Sequence, residues 1–275
     1  MKVLLLRSIP ENSKVDKYQE VFSADDIGCE SVSPIGFEFF NLRELYQCIQ
    51  KPNDFSGIIF SSPRTVLSVK LCIEEHSSLN EWQTSLQDTW ASLPAFSVGT
   101  STASEAHSLG FKTVGDDSGN AENLVQVILE KVQPKQAPLL FPCGTMRRDV
   151  IPYALKDKNI SFTPCTVYKT CPEPHLKENL QKYLQENGLP HAVVFFSPSG
   201  VKFAEAVLKE LKIIPSEQCQ YFAIGSTTEK AMLDHGMDIS GIAEKPSPES
   251  LLKCITESGM MESRKHPDVV QEKLC

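Results

Sequence analysis

The sequence has none of the local patterns that mark metal centres, nucleophilic enzymes or nucleotide-binding loops. Its nine cysteines include no CxxC pair and its six histidines no HxxxH or HExxH, so we expect no metal. No GxSxG, GxxxxGK[ST] or GxGxxG segment occurs, and no Ser/His/Asp set can be selected by spacing. The cysteines are scattered and odd in number, which disfavours a disulfide framework. Reduced, mostly buried thiols are therefore expected.

Long apolar runs and blocks of basic residues are also absent. No apolar run approaches the roughly 20 residues that a membrane helix needs, and the opening MKVLLLRSIPEN has too short an apolar stretch for a secretory signal. We therefore expect a cytosolic protein with no membrane partner. The 275 residues carry a formal net charge of −8, with a pI near 5.3. Because no basic block interrupts this negative balance, nucleic-acid binding is not expected.

What the sequence does contain is a pair of matching halves. The segment FSSPRTV at residues 60–66 is followed by VGTSTA, and FFSPSGV at residues 195–201 is followed by IGSTTEKA. In each half, a buried strand is followed by Ser-Pro, which marks the start of a helix. A further strand then leads to Gly and several hydroxyl residues at the start of an amphipathic helix. Because several motifs recur in the same order, we interpret the chain as an internal duplication.

Alternating strand and helix signals within each half predict an α/β fold. Apolar runs at Gly57–Phe60 and Ala192–Phe196 are short and continuous, as expected for strands of a parallel sheet buried on both faces. The pairs Ser62-Pro63 and Ser197-Pro198 put a hydroxyl at the N-cap and a proline at the first helical position. We therefore predict parallel sheets flanked by helices.

The residues alone leave the domain boundaries open. A cut near residues 132–138 would follow the repeat, whereas the proline-containing segments 33–37 and 168–174 are also typical of linkers. Two consecutive domains and two interwoven domains are both consistent with this pattern.

Polar residues collect where predicted strands end and helices begin. In open parallel sheets, ligands bind beyond the carboxyl ends of the strands, and the free N–H groups of a helix start attract anions. Six segments have this character: Ser62, Ser101-Thr102, Asn120, Ser197–Ser199, Thr227-Thr228 and Ser247. In two domains that face each other, they would form a cleft suited to a ligand with many carboxylates. The alternative is that each hydroxyl is a helix cap only.

Four further side chains each have two interpretations. Arg64 lies in the first predicted turn of its helix, where it either contacts a ligand carboxylate or is a solvated surface arginine. Tyr168 ends a predicted strand, and its hydroxyl either donates to a ligand or is satisfied at an interface. Arg147 and Arg148 lie at a strand-to-helix turn, where one is expected at the surface and the other could face the cleft.

Ten segments, taken in order, resemble the uroporphyrinogen-III synthases of animals, and the resemblance runs from residue 1 to about residue 258. The segments are MKVLLLR, SPIGFEF, IFSSPRTV, VGTSTA, GNAENL, LLFPCGTMRRDVIPYALKDKNI, TVYKT, VVFFSPSGV, AIGSTTEKAM and EKPSPESL. The resemblance implies two α/β domains that face each other across a cleft and are joined by a two-stranded connector. It also implies that the domains are interwoven, with residues 1–35 and 173–262 in domain 1, residues 38–170 in domain 2, and a disordered tail at 263–275.

The activity that the resemblance implies is the cyclisation of hydroxymethylbilane, a linear tetrapyrrole, to uroporphyrinogen III. Water is lost and the last pyrrole ring, ring D, is inverted by way of an azafulvene and a spiro intermediate. Such enzymes are hydro-lyases of haem biosynthesis, and no cofactor is expected. We expect a monomer that binds the tetrapyrrole, with transient contact to the preceding or following enzyme of the pathway left open.

The resemblance also assigns roles to single residues. Tyr168, in the TVYKT segment, matches the family's candidate proton donor. The matching substrate-binding residues are Ser62, Arg64, Thr102, Ser197 and Thr228, to which we add the neighbouring hydroxyls of Ser199 and Thr227. Ser226 stands where the family often has a proline, which leaves the geometry of that turn open.

Two other classes of function compete with this one. A bilobal protein that binds small polyanions without catalysis would share the fold, but the TVYKT and IGSTT segments are specific to the synthases. A nucleotide-dependent enzyme of the doubly wound type is disfavoured because the sequence has no glycine-rich phosphate loop and no downstream acid for a ribose.

Overall fold

A computed structural model describes residues 1–8, 16–76, 81–147 and 149–260, without the side chains of the last two. Arg148 and the predicted tail at 263–275 lie outside the described residues. The chain divides into two compact units. Unit 1 comprises Met1–Gly36 with the chain from Cys171 onward, and unit 2 comprises Phe37–Thr170. The domain boundaries predicted from the sequence stay a prediction, and these units lie close to them.

The strands of the described chain are β1 (Lys2–Leu6), β2 (Gly28–Val32), β3 (Ile35–Phe39), β4 (Gly57–Phe60), β5 (Ala95–Ser97), β6 (Thr113–Val114), β7 (Leu139–Gly144), β8 (Phe162–Pro172), β9 (Ala192–Phe195), β10 (Gln220–Ala223) and β11 (Gly241–Ile242). The α-helices are α1 (Lys17–Ala24), α2 (Leu42–Ile49), α3 (Pro63–His76), α4 (Gln87–Ser92), α5 (Thr100–Ser108), α6 (Ala121–Lys131), α7 (Val150–Asp157), α8 (Leu176–Asn187), α9 (Pro198–Glu210), α10 (Ser226–Asp234) and α11 (Pro248–Ile255). None of these helices is long and apolar enough to cross a membrane.

Unit 1 is built on a five-stranded sheet with the order β11-β10-β9-β1-β2, in which each pair of neighbours is parallel. Successive side chains of a strand point to opposite faces. Leu4 and Leu6 of β1 therefore join one apolar cluster with α8 and α9, while Val3 and Leu5 join another with α1 and α11. Both faces of the strand are buried, which explains its uninterrupted apolar run.

Unit 2 is built on a six-stranded sheet with the order β3-β8-β7-β4-β5-β6. The strands β8, β7, β4, β5 and β6 lie in this order, and each is parallel to the next. Ile58 and Phe60 of β4 face a cluster that includes Trp82 and Trp90, whereas Ile59 faces a second cluster with Phe96 and residues of α6 and α7. The short continuous runs predicted as strands thus have apolar neighbours on both faces, and the α/β prediction is confirmed.

The strands β3 and β8 carry the chain from unit 1 into unit 2 and back. They are neighbours in the sheet of unit 2. The amide of Phe40 donates to the carbonyl of Val167 over 3.0 Å, and Lys169 pairs with Glu38 over 3.0 Å. These contacts fix the register of the two strands on either side of Tyr168.

The two sheets share one strand order. In unit 2, β4, β5 and β6 follow one another on one side of the central β4–β7 pair, and β8 lies beyond β7 on the other side. In unit 1, β9, β10 and β11 are arranged in the same way about the β9–β1 pair, with β2 beyond β1, and only β3 has no counterpart. The sequence repeat pairs β4 with β9, which are also equivalent in this topology. The correspondence agrees with the predicted duplication, which stays a prediction, since topology alone does not establish common ancestry.

Two buried tyrosines of unit 1 differ in what their hydroxyls contact. The hydroxyl of Tyr221 accepts from the amide of Ser216 over 2.8 Å and donates to the carbonyl of Ile213 over 3.1 Å. The hydroxyl of Tyr183, on α8, is buried and has no hydrogen-bond partner among the described residues. Burial raises the pKa of Tyr183, so the hydroxyl stays protonated and uncharged.

This contrast gives a stability prediction. Tyr183→Phe removes an unpaired buried hydroxyl and should leave the free energy of unfolding unchanged or raise it by up to about 1 kcal/mol. Tyr221→Phe leaves a buried amide and carbonyl without their partner and should cost about 1–3 kcal/mol. Urea denaturation of both variants measures the difference. Equal losses would mean that an ordered water satisfies the hydroxyl of Tyr183.

Candidate functional site

The sheet of unit 2 has a point at which the strand connections change direction. The chain leaves β4 toward β5 on one side, whereas β7 continues to β8 on the other. In open α/β sheets, ligands bind at such a point, outside the carboxyl ends of the strands. Here Ser62 follows β4, and Gly144 ends β7 directly before Thr145.

Tyr168 reaches this point because β8 contains a bulge. Cys143 pairs with Thr166 and Gly144 with Tyr168, so Val167 is the extra residue between them. Bulges change the direction in which a side chain points, and they are frequent beside active sites. The hydroxyl of Tyr168 lies 3.4 Å from the hydroxyl of Ser62. The two residues are 106 positions apart, and the fold brings them together.

Gly144 lies so close to the ring of Tyr168 that a side chain at this position would collide with it. A Cβ atom at this position would lie 2.6 Å from Cζ of Tyr168 and 2.9 Å from its hydroxyl oxygen, distances at which atoms must move. The glycine is therefore needed for the close approach of the ring, not for an unusual backbone angle.

Arg64, in the first turn of α3, stacks on an aromatic ring. Its guanidinium carbon lies 3.8 Å from the centroid of the Phe37 ring, within the range of a cation–π contact. Phe37 also contacts Tyr168 edge-on, with ring centroids 6.1 Å apart. We call Tyr168, Ser62, Gly144, Arg64 and Phe37 the Tyr168 cluster. Sequence reasoning found three of its members and missed Phe37 and Gly144.

Thr102 and Thr228 occupy equivalent positions in the two units. They are the third residues of α5 and α10, and they are 2% and 3% exposed. Both helices begin after a glycine, Gly99 or Gly225, and neither glycine offers a side-chain cap. The GTST and GSTT hydroxyls thus lie inside the first turn and are not N-caps, unlike the hydroxyl of Ser197.

In unit 1 the serines after β9 lie at the equivalent change of direction, between β9 and β1. The helix α9 begins at Pro198 as predicted, and Ser197 caps it by accepting the amide of Gly200 over 3.0 Å. Ser199, the second residue of the helix, is half-buried. The amide occupies an oxygen lone pair of Ser197 and leaves its O–H free to donate to an anion.

The start of α10 lines a pocket of about 530 Å³. Thr227 is exposed and Thr228 is buried, and Glu244 and Pro246 also line the pocket. Ser226 begins the helix in place of the family's proline. The first-turn amides favour an anion in this pocket, whereas Glu244 opposes one.

Three other candidate residues make contacts within the protein. Asn120 caps α6 by accepting the amide of Asn123 over 2.8 Å, and Ser247 caps α11 by accepting that of Ser250 over 3.3 Å. Arg147 donates to the thiol of Cys143 over 3.3 Å and lines a pocket of about 730 Å³ beside α7.

Three of the described thiols are poor nucleophiles. Burial raises the pKa of Cys29, Cys165 and Cys219 to about 12, so these groups stay protonated at neutral pH. No group of three or more His, Cys, Asp or Glu side chains that could hold a metal ion occurs among the described residues. The chemistry available at the Tyr168 cluster is thus hydrogen-bond donation and binding of negative charge.

The fold and the site define a class of protein that has two doubly wound α/β units, with polar residues collected at the helix starts. Comparison with known proteins then identifies the family. The family model described as "Uroporphyrinogen-III synthase HemD" matches residues 16–253. The uroporphyrinogen-III synthase of Saccharomyces cerevisiae is 30% identical over 217 residues, which cover 74% of this chain and 76% of the yeast protein. The chain belongs to the uroporphyrinogen-III synthase family.

A solved structure supports the fold. The crystal structure of uroporphyrinogen-III synthetase from Helicobacter pylori 26695 matches with a TM-score of 0.55 and 18% identity, over 94% of this chain and 98% of that one. At this identity the likeness concerns the fold and says nothing of individual side chains.

The close approach of Gly144 to Tyr168 generates a prediction. Gly144→Ala should displace the Tyr168 ring, break its contact with Ser62 and cost about 1–3 kcal/mol of stability through overpacking. A crystal structure and a urea titration measure these effects. Gly28→Ala is the control, because its Cβ would meet no atom closer than 3.6 Å. An undisturbed ring in Gly144→Ala would contradict the prediction.

Proposed function

We propose that this protein is an active uroporphyrinogen-III synthase, which cyclises hydroxymethylbilane to uroporphyrinogen III with inversion of ring D and loss of water. The observation that carries the proposal is the family match over residues 16–253. The geometry agrees with it, because the residues that the resemblance selected in unit 2 lie at the carboxyl edge of one sheet. The non-catalytic polyanion binder is not favoured by the family assignment.

The proposed reaction does not require a strong nucleophile or base. Hydroxymethylbilane is intrinsically reactive and closes unaided without inversion, so the enzyme must fold the chain and favour one of two closures. Preferring one closure by ~100-fold requires only about 2.7 kcal/mol of differential transition-state stabilisation. Positioned hydrogen bonds to several carboxylates are sufficient for that.

Tyr168 is proposed as the donor that assists departure of the terminal hydroxyl group. Its phenolic proton would pass to the leaving oxygen, so that water departs and an azafulvene cation remains. The substituted carbon of ring D then attacks the exposed methylene carbon to give the spiro intermediate, which fragments and recloses with ring D inverted. The proton lost when the ring system regains aromaticity would restore the phenol. Ser62, at 3.4 Å, would orient the phenolic hydroxyl.

The remaining residues are proposed to bind carboxylates of the substrate. In unit 2, Arg64 supplies a positive charge, and Thr102 lies in the first turn of α5. In unit 1, hydroxyls and first-turn amides supply the donors, and the residues concerned are Ser197, Ser199, Thr227 and Thr228. Because these groups donate hydrogen bonds locally, they can bind a polyacid despite the net charge of −8.

The two compact units are proposed to be the two domains of an interwoven synthase. Supporting this, the chain crosses between them after Gly36 and after Thr170. The monomeric state, the cytosolic location, the absence of a cofactor and a transient contact with a neighbouring pathway enzyme stay predictions.

An isomer assay tests the proposed function. Purified protein supplied with hydroxymethylbilane should give the type III isomer, separated from type I by chromatography after oxidation to the porphyrins. A protein that only binds the substrate would leave type I as the product, because the spontaneous closure does not invert ring D. Type I alone, from protein shown to be folded, would refute the proposal.

The role of Tyr168 makes a separate prediction. Tyr168→Phe should lower kcat by about 100-fold, the lower end of the range for general acid catalysis, while the type III share of the enzymatic product is kept. Steady-state kinetics with isomer analysis measure both. Tyr153→Phe, which alters an exposed tyrosine on α7, is the matched control and should have no effect. Near-full activity of a folded Tyr168→Phe variant would exclude the proton-donor role.

A further inference from the structure

We propose that Phe37 is a positioning residue of the site, which holds the Arg64 guanidinium ready for a substrate carboxylate and supports the ring of Tyr168. The inference rests on the proposed function, since it assigns Arg64 a substrate anion. The side chain of Phe37 has no polar atom, so it acts only through Arg64 and Tyr168.

One ring contacts both functional side chains. The Arg64 guanidinium carbon lies 3.8 Å from the Phe37 centroid, and the ring planes of Phe37 and Tyr168 meet at 78° with centroids 6.1 Å apart. The ring thereby shields one face of the guanidinium, while its N–H groups lie in the guanidinium plane and donate to no residue that the structure describes. The edge that carries these groups is the part of arginine that binds a carboxylate with two parallel hydrogen bonds.

Comparison with Arg7 of unit 1 shows what Arg64 lacks. Arg7 also lies over an aromatic ring, 4.5 Å from the centroid of Tyr18, but it is ion-paired with Asp16 and donates to Ser31 over 3.1 Å. Among the described residues, no carboxylate pairs with Arg64. Phe37 therefore stabilises a cation whose hydrogen-bonding edge has no acidic partner, and a ligand carboxylate would supply one.

The position of Phe37 is set by the strand that carries it. It is the first residue of unit 2, on β3, and β3 is held beside β8 by the Phe40 amide and by the Glu38–Lys169 pair. Phe39, on the same strand, also contacts Tyr168, with centroids 6.2 Å apart, but no cation lies over its ring among the described residues. Phe39 thus provides a matched control for the contact with Arg64.

Kinetics of three variants test the role. Phe37→Leu should raise KM by about threefold to tenfold, the range expected for a lost cation–π contact, and lower kcat only moderately. Phe37→Tyr keeps an aromatic face and should restore KM. Phe39→Leu should leave KM near that of the unaltered protein. Equal increases in KM for the two leucine variants, or no rescue by tyrosine, would overturn the inference.

A double-mutant cycle separates positioning from general destabilisation. In an Arg64→Met background, Phe37→Leu should raise KM no further, because the group that Phe37 holds is already gone. Multiplicative effects of the two substitutions would show that Phe37 acts independently of Arg64 and would refute the inference.

A measurement without substrate keeps the inference testable if the proposed function fails. The δ-methylene protons of an arginine stacked on a ring are shifted upfield by its ring current, and arginine-selective labelling makes them visible by NMR. The shift of Arg64 should vanish in Phe37→Leu and persist in Phe39→Leu. An unaltered shift in Phe37→Leu would overturn the stacking itself, whereas loss of type III activity in the unaltered protein would refute only the proposed function.

Discussion

Burial of both faces of the two parallel sheets is the constraint on which the rest of the structure depends. The apolar runs of β1 (Val3–Leu6), β4 and β9 are buried on either side, so they contain no position at which a polar group could point to solvent. These central strands therefore offer polar groups only where they end, whereas Tyr168 lies at the bulge of the less buried strand β8. The hydroxyls, the amides and the arginine proposed to bind the substrate all lie at those ends or in the first helical turn beyond them.

The sequence predicts the features that depend on neighbours along the chain. Proline fixes its own backbone angle and serine accepts an amide three residues on, so the helix start at Ser197-Pro198 follows from local chemistry. Strand positions follow from continuous apolar runs for the same reason. Tyr168 and Arg64 are selected only by resemblance to a family, since no local pattern distinguishes them from ordinary surface or interface residues.

The parts that could not be predicted depend on pairing between distant segments. Gly144 matters only because a bulge in β8 sets Tyr168 opposite it, and Phe37 only because β3 runs beside β8. The glycine caps of α5 and α10 show a related limit, because a hydroxyl-rich segment resembles a cap although a glycine precedes the helix. A glycine at the end of a short buried strand is a signal that the sequence contains, but it does not show which side chain will pack against that glycine.

The serine hydroxyls of the two matching Ser-Pro motifs have different partners, and this difference affects what each unit would contribute to substrate binding. The hydroxyl of Ser197 caps its own helix, while that of Ser62 lies 3.4 Å from the phenol of Tyr168. The positions two residues further on differ as well, since Arg64 lies over the ring of Phe37 whereas its counterpart in unit 1 is the uncharged Ser199. Equivalent positions in one topology have thus acquired unequal partners. If the substrate is a reactive polyacid, a division of labour follows: unit 1 supplies donors that hold carboxylates, and unit 2 combines such donors with the phenol that can give up a proton.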